Sequence, residues 1–159
     1  MSFFTTYSRK LENLIAVVIF LITFAVYFST MAPTVSFWDT GEFIATSHIL
    51  GVPHPPGSPL FLLVGKFFSL IPISSDIAYR VNIFSPIISA LTISLLFLIC
   101  NQFIHRAEPK DSNKFFKMWS SLTASLTFAF THSHWFNAVE TEVYAFSGFM
   151  TALVIYLIM

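Results

Sequence analysis

Charged positions along the chain fall into a few short blocks, and the stretches between them are apolar. The first uncharged run goes from Asn13 to Trp38. Its apolar centre, Leu14 to Phe28, predicts one membrane-spanning helix over about 11–30, since about 20 apolar residues cross a bilayer. Arg9 and Lys10 precede it as in a signal peptide, but the apolar stretch is long and no small-x-small cleavage site follows, so it reads as an uncleaved anchor. A second run, Val81 to Ile104, predicts a span over 81–104. A third, weaker span is expected over 118–134. A fourth, over 143–159, is still apolar where the sequence ends, so the chain reads as the amino-terminal piece of a longer polytopic protein.

Between the first two spans lies a segment, 31–80, that is too long for a plain connector and is not hydrophilic. It predicts two short helices, about 40–50 and 59–71. Asp39 stands where an N-cap would, with Glu42 three residues on as a capping-box variant. Gly51 supplies the stop and Pro53 follows it. The string HPPGSP predicts a stiff, extended connection. Leu60 to Leu70 is too short to span and is expected in the membrane interface. The fold class is therefore all-α: a polytopic transmembrane helical protein with a long, membrane-hugging first outer loop.

Composition sharpens this picture. Apolar residues are 55% of the 159 and charged residues 10%, against about 25% in a soluble domain. Twenty Phe outnumber the eight Lys and Arg. A soluble enzyme, a disordered chain and a nucleic-acid binder are excluded, and the lipid bilayer is the expected surrounding. Cys100, the single cysteine, lies in an apolar run and reads as a small hydrophobe.

Net charge is zero, yet the cations are not evenly spread. Arg9, Lys10, Arg106, Lys110, Lys114 and Lys117 share one side if the spans alternate, which makes that side cytoplasmic. Loop 31–80 and the short second loop, 132–142, are then outside. They hold Asp39, Glu42, Asp76, Glu140 and Glu142 against Lys66 and Arg80. The 105–117 connector is polar and reads as nothing more.

The candidate chemistry is in the outer loops. Asp39 and Glu42 can be an N-cap and its partner, or a general base at the bilayer surface whose carboxylate is desolvated by Phe37, Trp38 and Phe43. Glu140 and Glu142 share a face only in an extended segment, and with His132 and His134 they have the residue types of a metal site or of an ordinary polar loop. An anionic phosphate would need Lys66 or Arg80. The alternatives are snorkelling for Lys66 and a pair with Asp76 for Arg80. His54 lies between prolines in an exposed loop. No glycine-rich phosphate loop, GxSxG, HExxH or CxxC is present.

The string WDTGEFIATSHILGVPHPPGSPLFLL closely resembles the first loop of the bacterial membrane-protein family called domain of unknown function 2723. VNIFSPIISALTISLLFLI is similar to that family's next helix and FNAVETEVYAFS to its second outer loop. The resemblance covers the chain from about Tyr27 onward. It implies a GT-C glycosyltransferase architecture, of which this is an amino-terminal part, related to protein O-mannosyltransferases of the endoplasmic reticulum. It further implies an inverting transfer of a sugar, mannose, from a polyprenyl-phosphate-linked donor to a hydroxyl acceptor such as an exported protein. Asp39 matches the first-loop acid of such enzymes, with Glu42 close by, although GT-C loops commonly show adjacent acids or Asp-x-Asp. His54, Lys66, Arg80, Glu140 and Glu142 are the expected substrate contacts. No cofactor and no metal are expected, no nucleic-acid partner either, and the location implied is a bacterial inner membrane. The piece alone should be inactive. An ion-coupled transporter or flippase and a non-catalytic assembly subunit are the other readings.

Overall fold

A computed structural model describes residues 3–107 and 113–159, with side chains from residue 9 onward. Lys110 and the rest of 108–112, in the expected cytoplasmic connector, lie outside the described residues. The described chain is all α-helical: α1 Phe3–Thr30, α2 Thr40–Ile49, α3 Pro59–Leu70, α4 Ile77–Asn82, α5 Phe84–Ala107, α6 Lys114–Ala129, α7 His132–Ala138 and α8 Val143–Ile158.

Two helical segments are long and apolar enough to cross a membrane, Arg9–Thr30 with 22 residues and Ile77–Ala107 with 31. The second joins α4 to α5 through Ile83. At 1.5 Å per residue it is about 46 Å long, against a hydrocarbon core of about 30 Å. A segment of that length exceeds the apolar slab, and its basic residues lie toward its ends: Arg80 at one, His105 and Arg106 at the other. The molecule is an integral membrane protein organised around α5, which packs on α1, α6 and α8.

Small residues let these helices close up. Ala16 and Ile19 of α1 meet Ile93 and Phe97 of α5 in a buried cluster, and Ser94 Oγ donates to the Ala16 carbonyl at 2.9 Å. Interfaces between membrane helices depend on such close backbone approach and on side-chain hydrogen bonds across them. The far face of α1, with Leu14, Val17, Leu21 and Ile22, is exposed as a lipid-facing surface would be.

The expected helix over 118–134 does not run through. It ends at Ala129, and α7 starts three residues later. The buried Tyr27 hydroxyl donates to the Ala129 carbonyl at 2.8 Å, taking one of the acceptors that a helix end leaves open. Thr131 is extended and holds the N-cap position of α7, but its hydroxyl donates back to Phe128 O and makes no capping bond. α7 then lies bent by 109° from α8.

α2 and α3 lie side by side and run the same way at the α4 end of this bundle: Phe43 meets Phe61 near their starts and His48 meets Ser69 near their ends. They touch most closely where Gly65 faces Ser47: a Cβ on Gly65 would stand 2.8 Å from Ser47 Cβ. Phe43, Phe61, Phe84 and Ala145 form the buried core beneath them, and Phe61 links α2, through Phe43, to Phe84 of α5 and Phe146 of α8. Two turn assignments change. Leu50, not Gly51, takes the left-handed conformation (φ 54°), with Gly51 N–H bonding Thr46 O. HPPGSP is not an extended rod: it turns back through Gly57 (φ 73°), whose N–H donates to His54 O at 3.0 Å.

Candidate functional site

The start of α2 and the short segment between α7 and α8 are distant in sequence and are stitched together by buried polar groups. Ala32 N–H donates to Val139 O at 2.8 Å. Asn82, fully buried, donates from Nδ2 to the carbonyls of Ala32 and Thr34, both at 2.9 Å, and accepts from Thr141 Oγ1 at 2.5 Å. Ser36 Oγ donates to Glu140 Oε2 at 2.5 Å and also reaches Thr40 Oγ1 at 3.3 Å. The bonds join the segment before α2, the end of α4 and the segment between α7 and α8, so the two loops hold one another in register. Sequence reading missed Ser36, Asn82 and Thr141. The one available signal was an amide at the head of an otherwise apolar run, VNIF.

This stitching brings together the acids named from the sequence. Asp39 and Glu42 are at the mouth and are accessible; Glu140 and Glu142 lie behind, 4% and 6% exposed. Asp39 occupies the N-cap position of α2, but its side chain makes no capping bond, and its backbone is already helical (φ −81°, ψ −2°). Glu42 does not reach back to complete a capping box. It is taken by His54, whose backbone N–H donates to Oε1 and whose Nδ1 meets Oε2, both at 2.7 Å. The His54 ring rests 5.7 Å from that of Phe43, which ties it to the core. Asp39, Glu42 and His54 each offer one ligand-type atom, and those atoms lie within 4.8 Å of one another.

The electrostatics follow the geometry. The hydrogen bonds to His54 hold the Glu42 carboxyl below its ordinary range, and the Glu42 carboxylate raises the His54 imidazole, with Asp39 and Glu142 adding to the effect. Glu142 is pushed up to about 7, first by burial and then by the neighbouring carboxylates of Glu140 and Asp39. Phe37 and Trp38 do not bury Asp39 as expected. They point outward, 84% and 83% exposed, and Phe43 turns into the core instead. The desolvation expected at Asp39 falls on Glu142.

Trp38 carries a second peculiarity. Its φ is 59°, a left-handed conformation that costs a bulky residue about 1–3 kcal/mol and that clusters at functional sites. With Val35 and Val52, the two exposed rings make an apolar rim beside the acids.

Lys66 and Arg80 are not gathered here. Lys66 Nζ donates to the His48 carbonyl, in the last turn of α2. Arg80 donates from Nε to Ser74 O at 2.6 Å and from Nη1 to Ser69 O at 3.1 Å. It does not form the expected ion pair with Asp76, whose Oδ1 accepts from Ala78 N–H at 2.8 Å as the α4 cap. Both cations close off helix-end carbonyls, which draw positive side chains. His132 and His134 also stand apart from the acids: His132 stacks on Phe136, and His134 packs between Tyr27 and Phe128.

The arrangement offers an accessible carboxylate at Asp39, an oriented Glu42–His54 pair beside it, two buried carboxyl groups behind, and an apolar rim. It can accept a proton from a polar group while an apolar chain lies alongside.

Residues 39–159 match the family described as the Protein O-mannosyl-transferase TMEM260 N-terminal domain. The Dictyostelium discoideum protein O-mannosyl-transferase tmem260 is 27% identical over 143 residues, covering 89% of this chain and 16% of that protein. The Mus musculus protein O-mannosyl-transferase TMEM260 is 30% identical over 139 residues, covering 87% and 18%. The chain thus corresponds to less than a fifth of the length of these relatives. No solved structure matches it.

Proposed function

Because the chain belongs to the family of the protein O-mannosyl-transferase TMEM260 N-terminal domain, we propose that it supplies the first-loop part of the active site of a membrane glycosyltransferase. The substrates in this reading are a polyprenyl-phosphate-linked mannose and a hydroxyl acceptor, a Ser or Thr on an exported protein. The observation that carries it is the convergence of Asp39, Glu42 and His54 at an accessible mouth beside the apolar rim of Phe37 and Trp38. A donor that is half lipid and half sugar needs both surfaces at one place.

In the transfer, one Asp39 oxygen takes the proton of the acceptor hydroxyl. The hydroxyl oxygen attacks the anomeric carbon from the side opposite the phosphate. The bond between that carbon and the phosphate oxygen breaks, and polyprenyl phosphate leaves with the electron pair, so the configuration inverts. Glu42 holds His54 in place beside Asp39. Lys66 and Arg80, engaged with carbonyls, keep those neighbouring helix ends in order instead of meeting the phosphate. Glu140 and Glu142 shape the floor. The distribution of Lys and Arg supports a cytoplasmic amino terminus with this mouth on the opposite face, and the first-loop resemblance supports a bacterial inner membrane.

The test uses the full-length protein in membranes, with radiolabelled polyprenyl-phosphate-mannose. Label is expected to move to protein with the wild type and to fall at least a hundredfold with Asp39→Asn. Undiminished transfer by Asp39→Asn overturns its role as base. No transfer by the wild type overturns the donor.

A further inference from the structure

The mouth holds more negative charge than its own residues answer. Asp39 and Glu42 stand in front, Glu140 and Glu142 behind, and His54 is the one cationic group among the site residues named above. Lys66 and Arg80 spend their donors on backbone carbonyls elsewhere. The donor proposed above would add an anionic phosphate to this place.

We propose that Asp39, Glu42 and His54 form a binding site for a hard divalent cation of the Mn²⁺ or Mg²⁺ type. The geometry is close to what such an ion asks. Around Mg²⁺, ligand atoms sit about 3 Å apart in cis and about 4.2 Å in trans. The three offered here lie within 4.8 Å of one another, so a pair at that limit has to close by about 0.6 Å to stand in trans and by about 1.8 Å to stand in cis. Two carboxylates and one imidazole, with no thiolate, suit hard and borderline ions. Glu42 already holds the imidazole through Nδ1 and anchors the His54 backbone N–H, so the loop bearing the histidine is positioned before any ion arrives. Three protein ligands at an accessible mouth leave coordination positions for water or for phosphate oxygens.

A second observation stands apart from those three residues. Glu140 is more than nine-tenths buried, and its Oε1 has no hydrogen-bond partner. Its other oxygen is held by Ser36, which also touches Thr40, the residue next to Asp39. Glu140 is thus linked through Ser36 to the start of α2, with its second oxygen unanswered among the described residues, and Glu142 is buried close by. Uncompensated buried carboxylates are costly, and a cation held in front of them offsets that cost. The proposal departs from the expectation of a metal-free site.

The ion site rests on this geometry alone; its use in carrying the donor phosphate rests on the transfer reading. One set of measurements separates the two. Full-length protein in nanodiscs is titrated with Mn²⁺ without donor, followed by electron paramagnetic resonance. Wild type is expected to bind one ion per chain, and Glu42→Gln and His54→Gln, both at accessible positions, to weaken binding tenfold or more. Equal binding by all three proteins, or none at millimolar Mn²⁺, overturns the site. Transfer from polyprenyl-phosphate-mannose is then measured after chelation and after Mn²⁺ is restored. Loss and recovery support the phosphate role. Unchanged transfer by the stripped protein overturns that role while the titration still decides the site. If the wild type transfers nothing from this donor, the transfer reading fails and takes the phosphate role with it, and the titration again stands by itself.

Discussion

Replacing Asn82 by alanine would remove the group through which the two loops hold one another. Asn82 is fully buried and makes three hydrogen bonds, two from Nδ2 to the carbonyls of Ala32 and Thr34 and one at Oδ1 from Thr141. The alanine leaves two carbonyls and a hydroxyl without these partners, each costing about 1–3 kcal/mol while buried. The low end of the sum, about 3 kcal/mol, corresponds to a roughly 100-fold larger population of the opened loop. The loss is local, because α5 is held by its own clusters with α1 and α6. Amide hydrogen exchange on the full-length protein in nanodiscs reads this directly. Ala32, whose N–H donates to Val139 O, should lose about two orders of magnitude of protection, while Ile93 and Phe97 in α5 keep theirs. Asn82→Asp should do at least as much damage, since it removes the same donor and sets a charge against two carbonyls. Unchanged exchange at Ala32, or equal loss in α5, would refute the claim that this amide specifically ties the loops.

Three further outcomes follow from the same contacts. Gly65→Ala puts a Cβ 2.8 Å from Ser47 Cβ and should cost about 1–3 kcal/mol, read as a lower Tm, with partial recovery when Ser47→Ala removes the facing hydroxyl. The Glu42–His54 pair contributes most between the two groups' ordinary values, 4.5 and 6.5. It is lost as pH falls through the lowered value of Glu42 and as pH rises through the raised value of His54, so the His54 NMR titration midpoint should drop toward 6.5 in Glu42→Gln. Glu142 has the opposite sign to an ordinary carboxylate: raised from 4.5 to about 7, it makes the fold less stable as pH climbs across that window. The wild-type Tm, measured relative to Glu142→Gln, should therefore decline between pH 4.5 and 7 and level off above; a flat difference would exclude the burial assigned to this group.

The all-α membrane class was open to sequence reading because apolar runs of spanning length have few other interpretations. The acids were nameable for a similar reason, since carboxylates are conspicuous in a chain that is 10% charged. Their partners were not. Local spacing matched Glu42 to Asp39 three residues away, while the carboxylate bonds His54, twelve residues on, because the HPPGSP segment turns back. Lys66 and Arg80 looked free for a phosphate, since nothing in a sequence displays the helix-end carbonyls that engage them. Leu50 took the left-handed position one residue before a glycine that could have held it more cheaply. Ser36, Asn82 and Thr141 are ordinary residue types that acquire meaning only when distant segments meet.

The two buried acids also bear on what the site is for. Tying Ser36 to the second loop needs an acceptor at position 140, and a glutamine amide oxygen would accept that bond without a charge. Capping α8 does not explain position 142, because the Glu142 side chain makes no capping bond. Packing and hydrogen bonding thus account for side chains of this size at these positions but not for their acidity. What the carboxylates add is negative potential directed at the mouth, where Asp39, Glu42 and His54 are accessible. Such potential answers to whatever positive charge arrives there, a proton or a metal ion, and it repels an unaccompanied phosphate. The pH slope of Glu142 and the Mn²⁺ titration therefore probe one electrostatic arrangement from two sides. Replacing both buried acids by glutamine should leave the Ser36 tie and the loop protection in place while weakening Mn²⁺ binding. If loop protection collapsed instead, the buried carboxylates would be structural and the charge argument would fail.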